Sequence, residues 1–154
     1  SILTYVRRKY GLVIGLNAAE EVKIKIGSAY HTGENIFTEI RGRSAVDGLP
    51  RSYTLQSDEI RGVILPVVVR MAELVAKCLE QAPPELAADV YESGIVITGN
   101  GGELAGLGEF ITEYTGIKTI CPEGMRDCVV NGTGKSLDLV ISDRGMRRFR
   151  RNSI

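Results

Sequence analysis

The chain has 154 residues, 19 basic against 19 acidic side chains, and a formal net charge of zero. That length suits one medium domain or two small lobes sharing a core, and the balanced charge excludes a general nucleic-acid binder, whose footprint is strongly basic. Apolar residues at 44% provide for a core, while no apolar run reaches the roughly 18–20 residues of a membrane-spanning helix and "SILTYVRRKYGLVIGL" shows no leader peptide.

In chain order, Ile2, Tyr5, Val6 and Tyr10 fall at helical spacing and predict the tail of a helix that began earlier in a longer chain. In "NAAEEVKIKIGSA", Asn17 is the expected helix cap, Glu20 closes the capping box three residues later, and Gly27 ends the helix. Two β-like runs follow, Ile36–Ile40 and Ser52–Gln56, joined by a Gly- and Pro-punctuated link and read as a hairpin. A long helix starts at Ser57, the expected cap, with Asp58 and Glu59 favouring its positive end. Its expected apolar stripe is Ile60, Val63, Ile64, Val67, Met71, Leu74, Val75 and Cys78, and Pro66 should kink or interrupt it. After the break at "APPEL" come a short buried strand over Gly94–Thr98, a glycine loop, and a helix of about ten residues from Glu103. "IKTIC" reads as a strand and "RDCVVNGTGKSLDLVI" as a terminal helix, so the second half reads as an α/β layer. The final "DRGMRRFRRNSI" is a basic tail.

Cys78, Cys121 and Cys128 have no CxxC spacing, and His31 is the single histidine. They are expected to be reduced, mostly buried thiols, and no metal site is predicted.

Two features bear on chemistry. A strand running into Gly99-Asn100-Gly101-Gly102 and then a helix lets backbone amides face a ligand without Cβ interference. The spacing is neither a dinucleotide-binding fingerprint nor a phosphate-binding GK[ST] loop, so a tight turn explains it as well as a ligand does. Glu20 and Lys23 share a helix face and could present a carboxylate and an ammonium to a ribose or adenine edge. A capping box with a solvated partner lysine accounts for them better on spacing alone.

The segments "YVRRKYGLVIG", "AEEVKIKIGSAY", "RGRSAVDGLPRSYTL", "PPELAADV", "GIVITGNGGELAGL" and "CVVNGTGKSLD" together resemble, in order, successive segments of the MreB family of bacterial actin-like, rod-shape-determining proteins. The likeness runs from about Tyr5 to Asp138. It implies an α/β, actin-like ATPase (ribonuclease-H-like) fold, here the C-terminal part of the second domain with a small α+β subdomain inserted. On that reading residues 1–32 and 57–140 belong to the larger subdomain, 33–56 form the core of the smaller one, and 141–154 are a basic tail.

The resemblance also implies function. Members of the family bind ATP with Mg2+ in a cleft between domains and form filaments that guide cell-wall synthesis. By position, Gly99, Asn100, Gly101 and Gly102 would contact the adenosine and neighbouring phosphate region, and Glu20, Glu21 and Lys23 would form the opposite wall. The family has a third glycine where Asn100 stands and tends to alanine where Gly102 stands. The family's phosphate loops have no counterpart here, so this chain alone is expected not to hydrolyse ATP and to bind it weakly or not at all.

Implied partners are further copies in a protofilament, reached through "GRSAVDGLP" (Gly42–Pro50), a membrane-anchored RodZ-like protein, the cell-wall synthesis machinery indirectly, and the inner membrane surface; no nucleic acid is expected. The implied location is the cytoplasm at the inner face of the membrane. Arg144, Arg147, Arg148, Arg150 and Arg151, with Met146 and Phe149, could meet anionic lipid there. The alternative reading is a free-standing interaction module without ATPase activity that binds or caps such filaments.

Overall fold

The computed structural model of the chain describes residues 1–31 and 33–138. The chain divides into two compact units. Unit 1 comprises Ser1–Ile95 with Leu104–Ile120, and unit 2 comprises Val96–Glu103 with the chain from Cys121 onward. The basic tail predicted at 141–154, with its arginines, Met146 and Phe149, lies outside the described residues.

Unit 1 opens with helix α1 (Ile2–Tyr10), which Gly11 closes in the left-handed conformation at φ 60°. Strand β1 (Leu12–Val13) leads into α2 (Leu16–Ile26). The cap of α2 is Gly15, with no side-chain cap bond, and Asn17 lies inside the first turn. The expected Asn17–Glu20 capping box is therefore absent, because the helix starts two residues early and puts Asn17 past the capping position. Gly27 ends α2 as expected.

The hairpin is longer than predicted. Strands β2 (Phe37–Ser44) and β3 (Pro50–Gln56) pair antiparallel, with Ile40 opposite Tyr53 and Thr38 opposite Leu55, and β1 adds to β2 through Leu12 opposite Ser44. Ile40 and Ser44 of β2 and Leu55 of β3 are buried while their neighbours face outward, the period-two pattern of a half-buried sheet. Gly42, Arg43 and Ser44 belong to β2 rather than to an exposed loop, leaving only 45–49 as the turn. A Cβ at Gly42 would lie 2.5 Å from the Val13 carbonyl oxygen, so close β1–β2 approach requires a glycine there.

Helix α3 (Ser57–Glu80) runs through Pro66 without interruption. Pro66 and Gly62, whose carbonyl loses its usual donor, are both exposed, so water can solvate that oxygen. The cap is Gln56, and Ser57 instead accepts the Ile36 amide at 3.0 Å and donates to Asn35 Oδ1 at 3.2 Å. The inward face is Ile60, Ile64, Val68 and Ala72, whereas Val67, Met71 and Leu74 are exposed. The run "VILPVVV" is apolar all round, so its sequence could not fix the phase of the stripe. The cysteine expectation fails for the same reason at Cys78, which lies on the exposed side. Cys121 is also exposed and Cys128 half-buried, all three as free thiols.

Helix α4 (Pro84–Ser93) begins on the proline expected only to break the chain, a position where the missing amide costs nothing. Strand β4 (Ile95–Val96) and strand β5 (Thr119–Ile120) form a two-stranded ladder, and the Ile95 amide donates to the Lys118 carbonyl at 2.8 Å. Helix α5 (Leu107–Thr115) buries Leu107 and Ile111. The largest fully buried side chains of unit 1, Val6, Leu12, Leu55, Ile60, Val68 and Leu107, come from α1, β1, β3, α3 and α5. At about 1.5–3 kcal/mol each, their burial joins hairpin and helices through one core.

Unit 2 holds the 3-10 turn Asn100–Glu103 and a helical stretch over residues 128–138. No helix among the described residues is long and apolar enough to cross a membrane.

Candidate functional site

The two predicted groups of site residues lie in different units, and each has its own geometry. In unit 2 the glycine loop is a 3-10 turn, Asn100–Glu103, and does not open a helix directly, since α5 starts only at Leu107. What remains is the backbone. The Gly102 amide donates to the Gly99 carbonyl at 3.0 Å, and the Gly99 amide to the Met125 carbonyl at 2.8 Å. Asn100 and Gly101 stand ahead of that first turn bond, where amides lack a carbonyl from their own helix.

The glycines of the loop are there for different reasons. Gly99 sits at φ +90°, a conformation that side chains rarely adopt. A Cβ at Gly102 would lie 2.6 Å from Ile97 Cγ2 and 2.7 Å from Met125 Sδ, so packing excludes one. Gly101 answers neither demand: its φ is not positive and a Cβ there would meet nothing within 4 Å. Asn100 also has no positive φ, so an L side chain is accommodated there without strain. At Gly101 the fold leaves open a space that a side chain would fill.

In unit 1, Glu20 and Lys23 form an ion pair at 2.6 Å on the outer face of α2. The pair expected from their spacing is formed, and Glu20 makes it in place of the capping box. Such an exposed pair is worth only about 0.2–0.5 kcal/mol. Glu21 does not join it. One residue further round the helix, about 100° away, it faces Lys25 at 3.6 Å and lines a groove with Thr38, Glu39 and Arg41 of β2. Among the described residues no three His, Cys, Asp or Glu side chains are grouped to hold a metal ion.

The family model described as "MreB/Mbl protein" matches residues 1–143. The cell shape-determining protein MreB of Escherichia coli strain K12 is 42% identical over 140 residues, which are 91% of this chain and 40% of that protein. The cell shape-determining protein Mbl of Bacillus subtilis strain 168 is 38% identical over 137 residues, 89% of this chain and 41% of that one. The chain thus spans about 40% of the length of these relatives. Among solved structures, MreB5 of Spiroplasma citri bound to ADP superposes with a TM-score of 0.84 at 33% identity, over 92% of this chain and 44% of that one. The α/β, actin-like fold class implied by the sequence resemblance is the one these matches show, in partial form.

Proposed function

The chain belongs to the MreB/Mbl family, and from that premise we propose that it supplies the adenosine side of a nucleotide cleft in an actin-like cell-shape protein. The observation that carries this reading is Gly101, a glycine required by neither backbone conformation nor packing, set in a turn whose leading amides lie beside it. A base or ribose lying against the backbone accounts for that position, since any Cβ would take its place. The relative of known structure from S. citri is described as bound to ADP, and in a second structure to AMPPNP, which supports a nucleotide as the ligand. Gly99, Asn100 and Gly102 of the same turn are proposed as contacts with it, as are Glu20, Glu21 and Lys23, with Lys23 the one cation among them.

The family-length protein would couple ATP hydrolysis to filament turnover through residues this chain does not supply. The hairpin turn is the proposed contact for a further copy. Val46 at its tip is 94% exposed and Leu49 59%, apolar surface that the turn itself leaves uncovered. RodZ-like and membrane contacts remain part of the proposal at the level of the family.

The test is isothermal titration with ATP and magnesium of the parent chain and of Gly101→Asp. Saturable binding in the parent, lost in the variant, supports the reading. No binding at millimolar ATP leaves the loop structural in this chain and favours a fragment of the longer protein or the free-standing interaction module.

A further inference from the structure

Three elements of unit 1 meet around a groove of about 640 Å3, within the size range of small-molecule sites. Helix α5 contributes Phe110, Glu113 and Tyr114, which share one face at spacings of three and four residues. Helix α3 contributes Arg61 and Leu65, four residues apart, and the chain after α2 contributes Ala29, Tyr30 and His31. The Phe110 and Tyr114 rings stack at 6.3 Å and 20°, forming an aromatic wall. Tyr114 is 46% exposed and Tyr30 43%, so much of this apolar surface stands uncovered.

The segment that carries Tyr30 is fixed against α5. The Ala29 amide donates to the Ala105 carbonyl at 2.7 Å, and Ser28 Oγ donates to the Tyr30 carbonyl at 2.6 Å. A Cβ at Gly106 would lie 2.6 Å from Tyr30 Cβ, so Tyr30 is seated directly on the start of that helix. Its hydroxyl donates to Glu113, a bond that raises the tyrosine above its ordinary pKa. His31 Nδ1 lies 3.5 Å from Asp58. Arg61 is left short of acceptors. Its Nη2 reaches Asp58 Oδ1 only at 3.5 Å, the outer limit of a hydrogen bond. Its Nε is the one buried side-chain nitrogen or oxygen without a partner among the described residues. A guanidinium carries five donors in a planar fork, and a buried donor left without an acceptor costs stability. The unmet demand of the groove is thus for an anionic acceptor.

We propose that this groove binds a small aromatic carboxylate, with its ring against Phe110 and Tyr114 and its carboxylate on the Arg61 guanidinium. An aromatic ring stacks on the wall by its face, and a flat carboxylate matches the guanidinium fork in two parallel bonds. Nε is closed to solvent, so Arg61 turns toward the groove on binding and gives up only its long contact with Asp58. Glu113 repels an anion from the α5 side, which orients the ligand with its carboxylate at α3 and its ring at α5. The site is separate from the proposed nucleotide contacts, none of which lines this groove.

The test titrates the full chain with 2-naphthoate and, in parallel, with the uncharged 2-naphthalenemethanol, following the backbone amides by NMR. In the parent, naphthoate should shift the amides of 29–31, 61–65 and 110–114 and bind about tenfold more tightly than the alcohol, as a charge-assisted pair implies. Arg61→Met keeps the aliphatic stem and should erase that preference. Tyr114→Ser, at an exposed position, should weaken both probes alike and keep the preference for the carboxylate. Equal binding of the two probes by the parent, or a preference that survives Arg61→Met, overturns the proposal. So do shifts that map instead to the exposed Val67, Met71 and Leu74, or no shifts at millimolar naphthoate. An unchanged affinity in Tyr114→Ser does the same, and decides even where Arg61→Met fails to fold.

Discussion

The distinction between the loop glycines can be tested by separating stability from binding. A Cβ at Gly102 falls 2.6 Å from Ile97 Cγ2, about 0.8 Å inside the 3.4 Å at which ordinary contact begins. Met125 can yield, being unbranched and flexible, but the β-branched Ile97 is stiff at χ1. Gly102→Ala should therefore carry an overpacking cost of about 1–3 kcal/mol. At about 2–4 °C per kcal/mol for a chain of this size, the melting temperature should fall by about 2–12 °C. Gly101→Asp meets open space at an unstrained φ, and should stay within about 0.5 kcal/mol of the parent, as surface substitutions usually do. It nonetheless puts a carboxylate where an anionic nucleotide is proposed to lie. Thermal melts by circular dichroism and titration with Mg-ATP on both variants give two orderings: Gly102→Ala worse in stability, Gly101→Asp worse in binding. A Gly101→Asp protein destabilised as much as Gly102→Ala would mean that the fold itself needs Gly101, and the ligand reading would lose its main support.

Lys23→Ala breaks an exposed pair and should cost no more than about 0.5 kcal/mol in a urea melt, while weakening nucleotide binding severalfold; equal binding by titration would remove Lys23 from the site. Asp47 is held down to about 2 by the Ser44 hydroxyl, the Leu49 amide and Arg51. A folded pKa below the unfolded one means stability present above about pH 4 and lost as pH falls toward 2. Melting temperature followed across that window should drop less steeply in Asp47→Asn, and parallel curves would refute the assignment. Val46→Asp should leave the melting temperature unchanged and reduce self-association in sedimentation velocity, and an unaltered association profile would clear the hairpin tip of that role.

The parts legible in sequence were those where one residue settles the matter locally. Gly and Pro between two β-like runs gave the hairpin, and Gly27 gave the end of α2. Where two residues competed for one task the structure chose differently, as with Gly15 over Asn17 and Gln56 over Ser57 as caps. Pro66 misled because its effect depends on whether the orphaned carbonyl reaches water, a tertiary fact. The candidate site was legible in pieces: the three-residue spacing of Glu20 and Lys23 specified their pairing, while Glu21, a residue further round the helix, pairs with Lys25 instead. The hydrogen-bonded cluster that Tyr5, Lys9 and Tyr10 of α1 form on Glu59 of α3 was not legible at all. Its donors on α1 stand 49 to 54 residues away in the chain, and no local pattern connects them.

What the described residues offer a nucleotide is uneven, and the unevenness is measurable. The contacts proposed for it are backbone amides at Asn100 and Gly101 and one ammonium, at Lys23, which already pairs with Glu20. They give no grouped carboxylates to hold a cation against phosphates. Binding energy in this part of the family protein should then come from base and ribose, with each added phosphate contributing little. Titrated with adenosine, ADP and Mg-ATP, the chain should show affinities within about threefold of one another, less than the 1.4 kcal/mol of a tenfold difference. Mg-ATP binding tenfold or more above adenosine would show that phosphates are recognised here after all, and would move the proposed contacts from the nucleoside to the phosphate end.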